Sequence, residues 1–165
     1  KKFTEVRPDP GQPFFECDVA IWTGSLYKLA AVAKVGLPCA DYVLDGGERE
    51  YDHRGKGLRY RAFMHQSSIV DHNIRAEQRI RLHRLGPLTF WVTYFSPIRC
   101  YYLFRNTLYF WLYEYRDRNV RCFLHEVSWL STYAAKLLLL TRWTELLACV
   151  RGSWDGLCKN MHHRY

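Results

Sequence analysis

Asp45, Glu48, Glu50 and Asp52 gather around Gly46 and Gly47 in the stretch YVLDGGEREYDHRGKGLRYRAF (42–63), and Arg54, Lys56, Arg59 and Arg61 follow at once. A carboxylate within hydrogen-bond reach of a hydroxyl can take its proton when the leaving group is good. The pattern therefore suits glycosyl, phosphoryl or acyl transfer. Glu48 and Glu50 are two residues apart, so on a helix they point about 200° from one another and take different roles. A helix beginning near Gly47 puts Glu48 in its first turn, where the helix dipole favours the charged form. The glycines permit close approach of a ligand to the backbone. The same residues also fit a solvated helix face on which Glu50 and Arg54 form an i,i+4 pair worth about 0.3 kcal/mol. Downstream, His72 is either a packed side chain at a strand end or a ligand for a divalent metal shared with carboxylates. His162 and His163 read as exposed.

The elements that must position these residues are marked by local signals. CDVAIWTGSLY (17–27) reads as a short buried strand closed by a turn at Gly24 and Ser25. KLAAVAKVG (28–36) reads as a helix stopped by Gly36, and Pro38 keeps 37–44 in a loop. The segment 48–56 reads as a helix ending at Gly57, and the alternation in LRYRAFMH (58–65) as a strand. SSIVDHN adds a short strand carrying His72, and 74–90 reads as an arginine-rich loop.

From Ser96 the chain changes character. Ser96 is placed to cap a helix with Pro97 at its first position, and the segment 96–118 is apolar on nearly every side. A second helix covers 123–140 with a stripe at 123, 127, 130, 134 and 137. A third carries Trp143, Leu146, Leu147, Val150, Trp154 and Leu157 on one side. The expected fold class is α/β followed by an all-helical segment, with a division into 1–95 and 96–165.

With 165 residues, 48% of them apolar, the chain can bury a sizeable core. A formal charge of +8 points to an anionic partner. The charge is concentrated: between His53 and Arg84, eight Lys or Arg stand against Asp71 and Glu77. The six cysteines contain no C-x-x-C pair, which argues against a zinc ribbon or a thioredoxin-type centre and for free thiols in a reducing compartment. The longest run without Asp, Glu, Lys or Arg, Leu85 to Ile98, is too short to span a bilayer. Trp143, Trp154 and the leucines near them, with Arg142, Arg151 and Lys159 at hand, suggest attachment to a membrane surface, and fit an ordinary packed helical subdomain equally well. The expected location is cytoplasmic, peripheral to the inner face of the cell membrane.

The run from Trp22 to Asn73 resembles the C-terminal half of the catalytic domain of family 2 glycosyltransferases, nearest to the bacterial rhamnosyltransferase-like and galactofuranosyltransferase-like members. The resemblance is carried by the Gly24–Ser25 turn, "GLP" (36–38), the acidic stretch around Glu48, the arginine-bearing helix ending in Lys-Gly, the strand, and His72. "CYYLFRNTLYF" (100–110) is similar to the Tyr-Tyr-x-x-Arg-Asn helix of those proteins. The resemblance implies a GT-A fold and an inverting transfer of sugar from a nucleotide-diphosphate donor to a polysaccharide or lipid-linked acceptor. It implies Glu48 as general base on the acceptor hydroxyl, Glu50, Gly24 and Ser25 on the acceptor side, and His72 as a metal ligand. Arg54 would back the acidic edge. The implied cofactor is Mg²⁺ or Mn²⁺, held mainly by a donor half this chain does not contain, since no Asp-x-Asp occurs. The chain is expected to be a truncated, acceptor-side fragment, inactive alone. Gly47 stands where the family has its first acidic residue, and Gly46 where the nearest relatives often have an aromatic one. The rival expectations are a non-catalytic basic module holding nucleic acid or an anionic membrane, and a degenerate remnant that scaffolds a synthase. Specific nucleic-acid recognition is not expected.

Overall fold

A computed structural model of the chain describes residues 11, 13–17, 19–20, 22–69, 79–115 and 120–161. The fold is mixed helix and strand with two small antiparallel sheets. It divides into two units, one built from residues up to Pro38 and from Glu48 onward through the second strand, the other from Cys39–Gly47 and the chain beyond 72. The division expected at 95/96 therefore falls inside the second unit.

In the first unit, β1 (Phe14–Cys17) pairs antiparallel with β2 (Ala62–His65), Phe14 opposite His65 and Cys17 opposite Ala62. The strand expected over 17–27 thus lies earlier, and Trp22 to Gly24 form a turn in its place. Strand β2 is shorter than the expected 58–65 because Arg59 takes a positive φ of 65° and the backbone turns there. α1 (Leu29–Val35) ends at Gly36 and α2 runs from Gly47–Gly57, both as the local signals require. Of SSIVDHN, residues 67–69 carry no strand, and His72 lies outside the described residues.

In the second unit, the segment expected as a loop over 74–90 is a hairpin from Arg79 onward, and 74–78 lie outside the described residues. β3 (Arg79–Leu85) pairs with β4 (Leu88–Tyr94), with Leu85 opposite Leu88 across Gly86 and Pro87. Two alternating runs separated by a two-residue turn beginning with glycine suffice for a hairpin. Arg79, Arg81 and His83 at alternate positions of RIRLHRL, with Arg84 out of step, hide the period. β4 sends Val92 into the core.

The helices are α3 (Pro97–Tyr109), continued by a π-helical turn over Phe110–Glu114, α4 (Val120–Leu139) and α5 (Trp143–Leu157). Ser96 caps α3, its hydroxyl accepting from Arg99 N–H at 3.3 Å, with Pro97 at the first helical position. The core joins Val92, Cys100, Tyr101, Tyr102 and Phe104 to Leu130, Tyr133 and Leu137 of α4 and to Ala148 and Cys149 of α5.

α5 turns most of its apolar stripe away from the core, only Leu146 of the stripe packing against it. The residues it buries are Glu145, Ala148, Cys149, Gly152, Asp155 and Gly156. Trp143, Leu147, Val150, Trp154 and Leu157 are exposed. The cause is close packing of backbones. A Cβ at Gly156 would sit 2.6 Å from the Arg105 carbonyl oxygen, and one at Gly152 only 3.0 Å from the Tyr101 carbonyl carbon, with its oxygen nearer still. Large side chains cannot occupy such a seam, so small residues face inward and the large ones are displaced to the opposite side.

Candidate functional site

The first unit holds a cavity of about 640 Å³ lined by Gly24, Ser25, Tyr27, Tyr51, Asp52 and Lys56 among others. Gly24 takes a φ of 81°, and the turn is closed by Ser25 N–H donating to Trp22 O at 3.1 Å. The two glycosyl-site residues expected from this turn, Gly24 and Ser25, therefore line one wall. The opposite wall is a face of α2.

Of the two α2 carboxylates spaced one helical turn apart, Asp52 lines the cavity and Glu48 does not. Asp52 is buried and lines the cavity, its carboxylate accepting from Ala20 N–H at 2.6 Å. Burial pushes its carboxyl above the usual aspartate range. The Ala20 N–H and Lys56 oppose that rise, and the negative charge of Glu48 adds to it. Glu48 is half-buried and carries no hydrogen bond among the described residues. The Tyr27 phenol is pushed up to about 12, first by burial and then by the charge of Asp52, with smaller contributions from Tyr51 and Glu48. Its ring meets that of Tyr51 edge-on, with centroids 5.5 Å apart. At neutral pH Tyr27 is thus a hydrogen-bond donor beside two acidic groups.

Glu50 occupies the far side of the helix, as the angular spacing requires. It is buried, its carboxylate bound by Arg54, whose guanidinium also donates to Val35 O at 2.7 Å and Leu37 O at 2.9 Å. Arg54 therefore ties the end of α1 to α2, and Glu50 holds Arg54 in place. Sequence reasoning singles out Glu48 and Glu50 and passes over Asp52. The i,i+4 spacing of Glu48 and Asp52 is the available signal.

The residues leading into α2 belong to the second unit and are held by α3. Arg105, fully buried, donates to Asp41 O, to Met161 O at 3.2 Å and to Asn106 Oδ1 at 2.9 Å. Asn106 donates to Val43 O at 3.1 Å and Asp45 O at 2.5 Å, and Arg99 bonds the Asp45 carboxylate at 3.1 Å. The YYLFRN segment thus acts as an anchor for this loop. Gly46 has a φ of 86°, and a Cβ there would lie 3.3 Å from the Tyr42 ring and 3.4 Å from Asn106 Cβ. The positive φ strains any side chain at this position, and a Cβ would also press on Tyr42 and Asn106.

Among the described residues no group of three His, Cys, Asp or Glu is arranged to hold a metal ion. His72, the metal ligand that the resemblance implies, lies outside the described residues.

Asp52 yields a stability test. Its folded pKa lies above the unfolded value, so the folded state binds the proton more tightly, and stability falls as pH rises from the unfolded pKa through the folded one. Asp52→Asn keeps an acceptor for Ala20 N–H and removes the buried charge. The variant is expected to melt higher than the parent at neutral pH and to match it in acid, where the parent's carboxyl is already neutral. Equal melting temperatures at neutral pH would show that the charge costs nothing there.

Comparison of the chain with protein-family models, with curated proteins and with solved structures gives no match in any of the three.

Proposed function

We propose that the first unit is the acceptor side of an inverting glycosyltransferase of the GT-A type, using a nucleotide-diphosphate sugar and a glycan or lipid-linked acceptor. The observation that carries this reading is the cavity itself: a glycine-serine turn and the buried carboxylate of Asp52 both line it, and Glu48 stands one helical turn before Asp52 on α2, at the cavity's edge and outside its lining. Tyr27, Tyr51 and Tyr60 line it, and aromatic walls suit the apolar faces of a sugar ring. Lys28 and Lys56 line it too and suit the phosphates of a donor or of a lipid-linked acceptor.

In this reading Glu48 is the general base. It is half-buried and its oxygens are not engaged by a hydrogen bond among the described residues, whereas Asp52 is held by Ala20 N–H. The Glu48 carboxylate takes the proton of the acceptor hydroxyl as that oxygen attacks the anomeric carbon. The bond to the diphosphate breaks on the opposite face, and the configuration inverts. Asp52 orients the acceptor through a second hydroxyl. Glu50 acts through Arg54 on the shape of the wall.

In an active enzyme that contains this unit together with a donor-binding half, Glu48→Gln is expected to lower turnover at least about a hundredfold while donor binding persists. Unchanged turnover would remove Glu48 from this role. For the chain itself, glycan acceptors should perturb the amide resonances of Gly24, Ser25 and Asp52. If random RNA perturbs the protein with a steep salt dependence and glycans do not, a non-catalytic nucleic-acid module is the better reading.

A further inference from the structure

We propose that the outer face of α5 is a docking surface for an anionic phospholipid bilayer, a property separate from the chemistry of the first unit. The face is built by exclusion. Gly152 and Gly156 commit one side of α5 to the backbone of α3, and the diametrically opposite side then presents Trp143, Leu147, Val150, Trp154 and Leu157 at steps of four and three. Their exposures are 57, 55, 58, 67 and 47%. At roughly 1.5 Å per residue the two tryptophans are about 16 Å apart along the axis, and both project from the same side. Tryptophan favours the boundary between headgroups and acyl chains. One at each end of a face places the helix parallel to that boundary, not across it. This agrees with the absence, among the described residues, of any helix long and apolar enough to cross a membrane.

Charge selects the occupant. The 4-3-4-3 spacing would also serve a helix from a second copy of the chain. The two acidic residues of α5, Glu145 and Asp155, are both buried on the α3 side. Arg142 bonds Glu145 from the exposed start of the helix, and Arg151 on the helix and Lys159 two residues past its end are exposed. The accessible charges of this helix are therefore all positive. Two such faces brought together repel one another, whereas phosphate headgroups complement them.

The test uses the whole chain, floated with vesicles of phosphatidylcholine alone and of phosphatidylcholine mixed with phosphatidylglycerol. Binding is expected to the mixed vesicles, to be much weaker to the neutral ones, and to weaken with salt. Trp143→Ser with Trp154→Ser should reduce binding at least about tenfold. Arg151→Ser with Lys159→Ser should reduce it about fivefold for each charge removed. All these side chains are exposed, so the circular dichroism melt should stay that of the parent. No flotation with the mixed vesicles, equal flotation with neutral ones, or full binding by the double tryptophan variant overturns the proposal. So does a dimer in sedimentation that the tryptophan variant abolishes while the parent ignores vesicles, which would assign the face to a second copy.

Discussion

Gly152→Val is expected to lower the stability of the second unit by at least about 3 kcal/mol, a fall in melting temperature of more than about 10 °C. Two opposing effects set the sign. Replacing glycine inside a helix recovers up to about 1 kcal/mol of backbone entropy. Against that, the added Cβ meets the Tyr101 carbonyl, whose carbon would be 3.0 Å away and whose Cα 3.1 Å. The obstacle is backbone in the middle of α3, so no rotamer change relieves it. The helices must separate, and every contact along the seam weakens together. Gly55→Ala is the internal control: a Cβ there meets nothing closer than Tyr60 Cβ at 3.9 Å. That substitution should leave stability unchanged or raise it by up to about 1 kcal/mol. Thermal melts of both variants check the contrast. A Gly152 variant as stable as the parent would mean that α3 and α5 do not meet at this seam.

Arg105→Leu is the second large effect, expected to cost about 3–5 kcal/mol. The guanidinium is fully buried, donates to Asp41 O, Met161 O and Asn106 Oδ1, and lies over the rings of Tyr102 at 4.7 Å and Tyr101 at 5.7 Å. Leucine fills part of the volume and satisfies none of the acceptors. Arg105→Lys should recover little, because an ammonium cannot reproduce a planar fork serving three acceptors while lying on an aromatic ring. The neighbouring Tyr101 phenol is pushed up to about 12, by burial and by its hydrogen bond to Asp155. The surroundings thus keep its hydroxyl a donor. Hydrogen exchange at the amides of 41–46 should rise in both variants beyond what global destabilisation explains, since Arg105 holds that loop directly. Uniform exchange changes would argue that the loop is held by other means.

The parts of the fold legible in the sequence are those set by local chemistry. Ser96 with Pro97 announces the start of α3, Gly36 the end of α1, and Gly47 the start of α2. Each depends on a backbone hydrogen bond or a dihedral that neighbours in sequence determine. The i,i+4 pair of Glu50 and Arg54 is also legible, though not the reach of Arg54 onward to the end of α1. What is illegible depends on distant partners. The apolar stripe of α5 is real, but the period of a stripe does not say which side faces the core. The answer lies in Gly152 and Gly156, whose meaning appears only once α3 is laid against them. The hairpin over 79–94 is masked because arginines spaced by two stand out as charge before they stand out as alternation. Asp52 is not evident as a site residue, since nothing local tells a cavity-lining carboxylate from a solvated one. In sequence YYLFRN is only part of a family pattern. In the structure its arginine and asparagine hold the carbonyls of the loop that leads into α2.

The pairing of α3 with α5 also fixes when this unit can be assembled. Its central seam joins residues near 101–105 to residues near 152–156, with the π-helical turn and α4 between them in the chain. During synthesis α3 leaves the ribosome well before its cover exists. Tyr101, Tyr102, Phe104 and the Arg105 guanidinium must then wait in solvent until translation passes Leu157 and the last helix clears the exit tunnel. A nascent chain holding that surface open is a substrate for chaperones, and pausing within 110–140 would prolong its exposure.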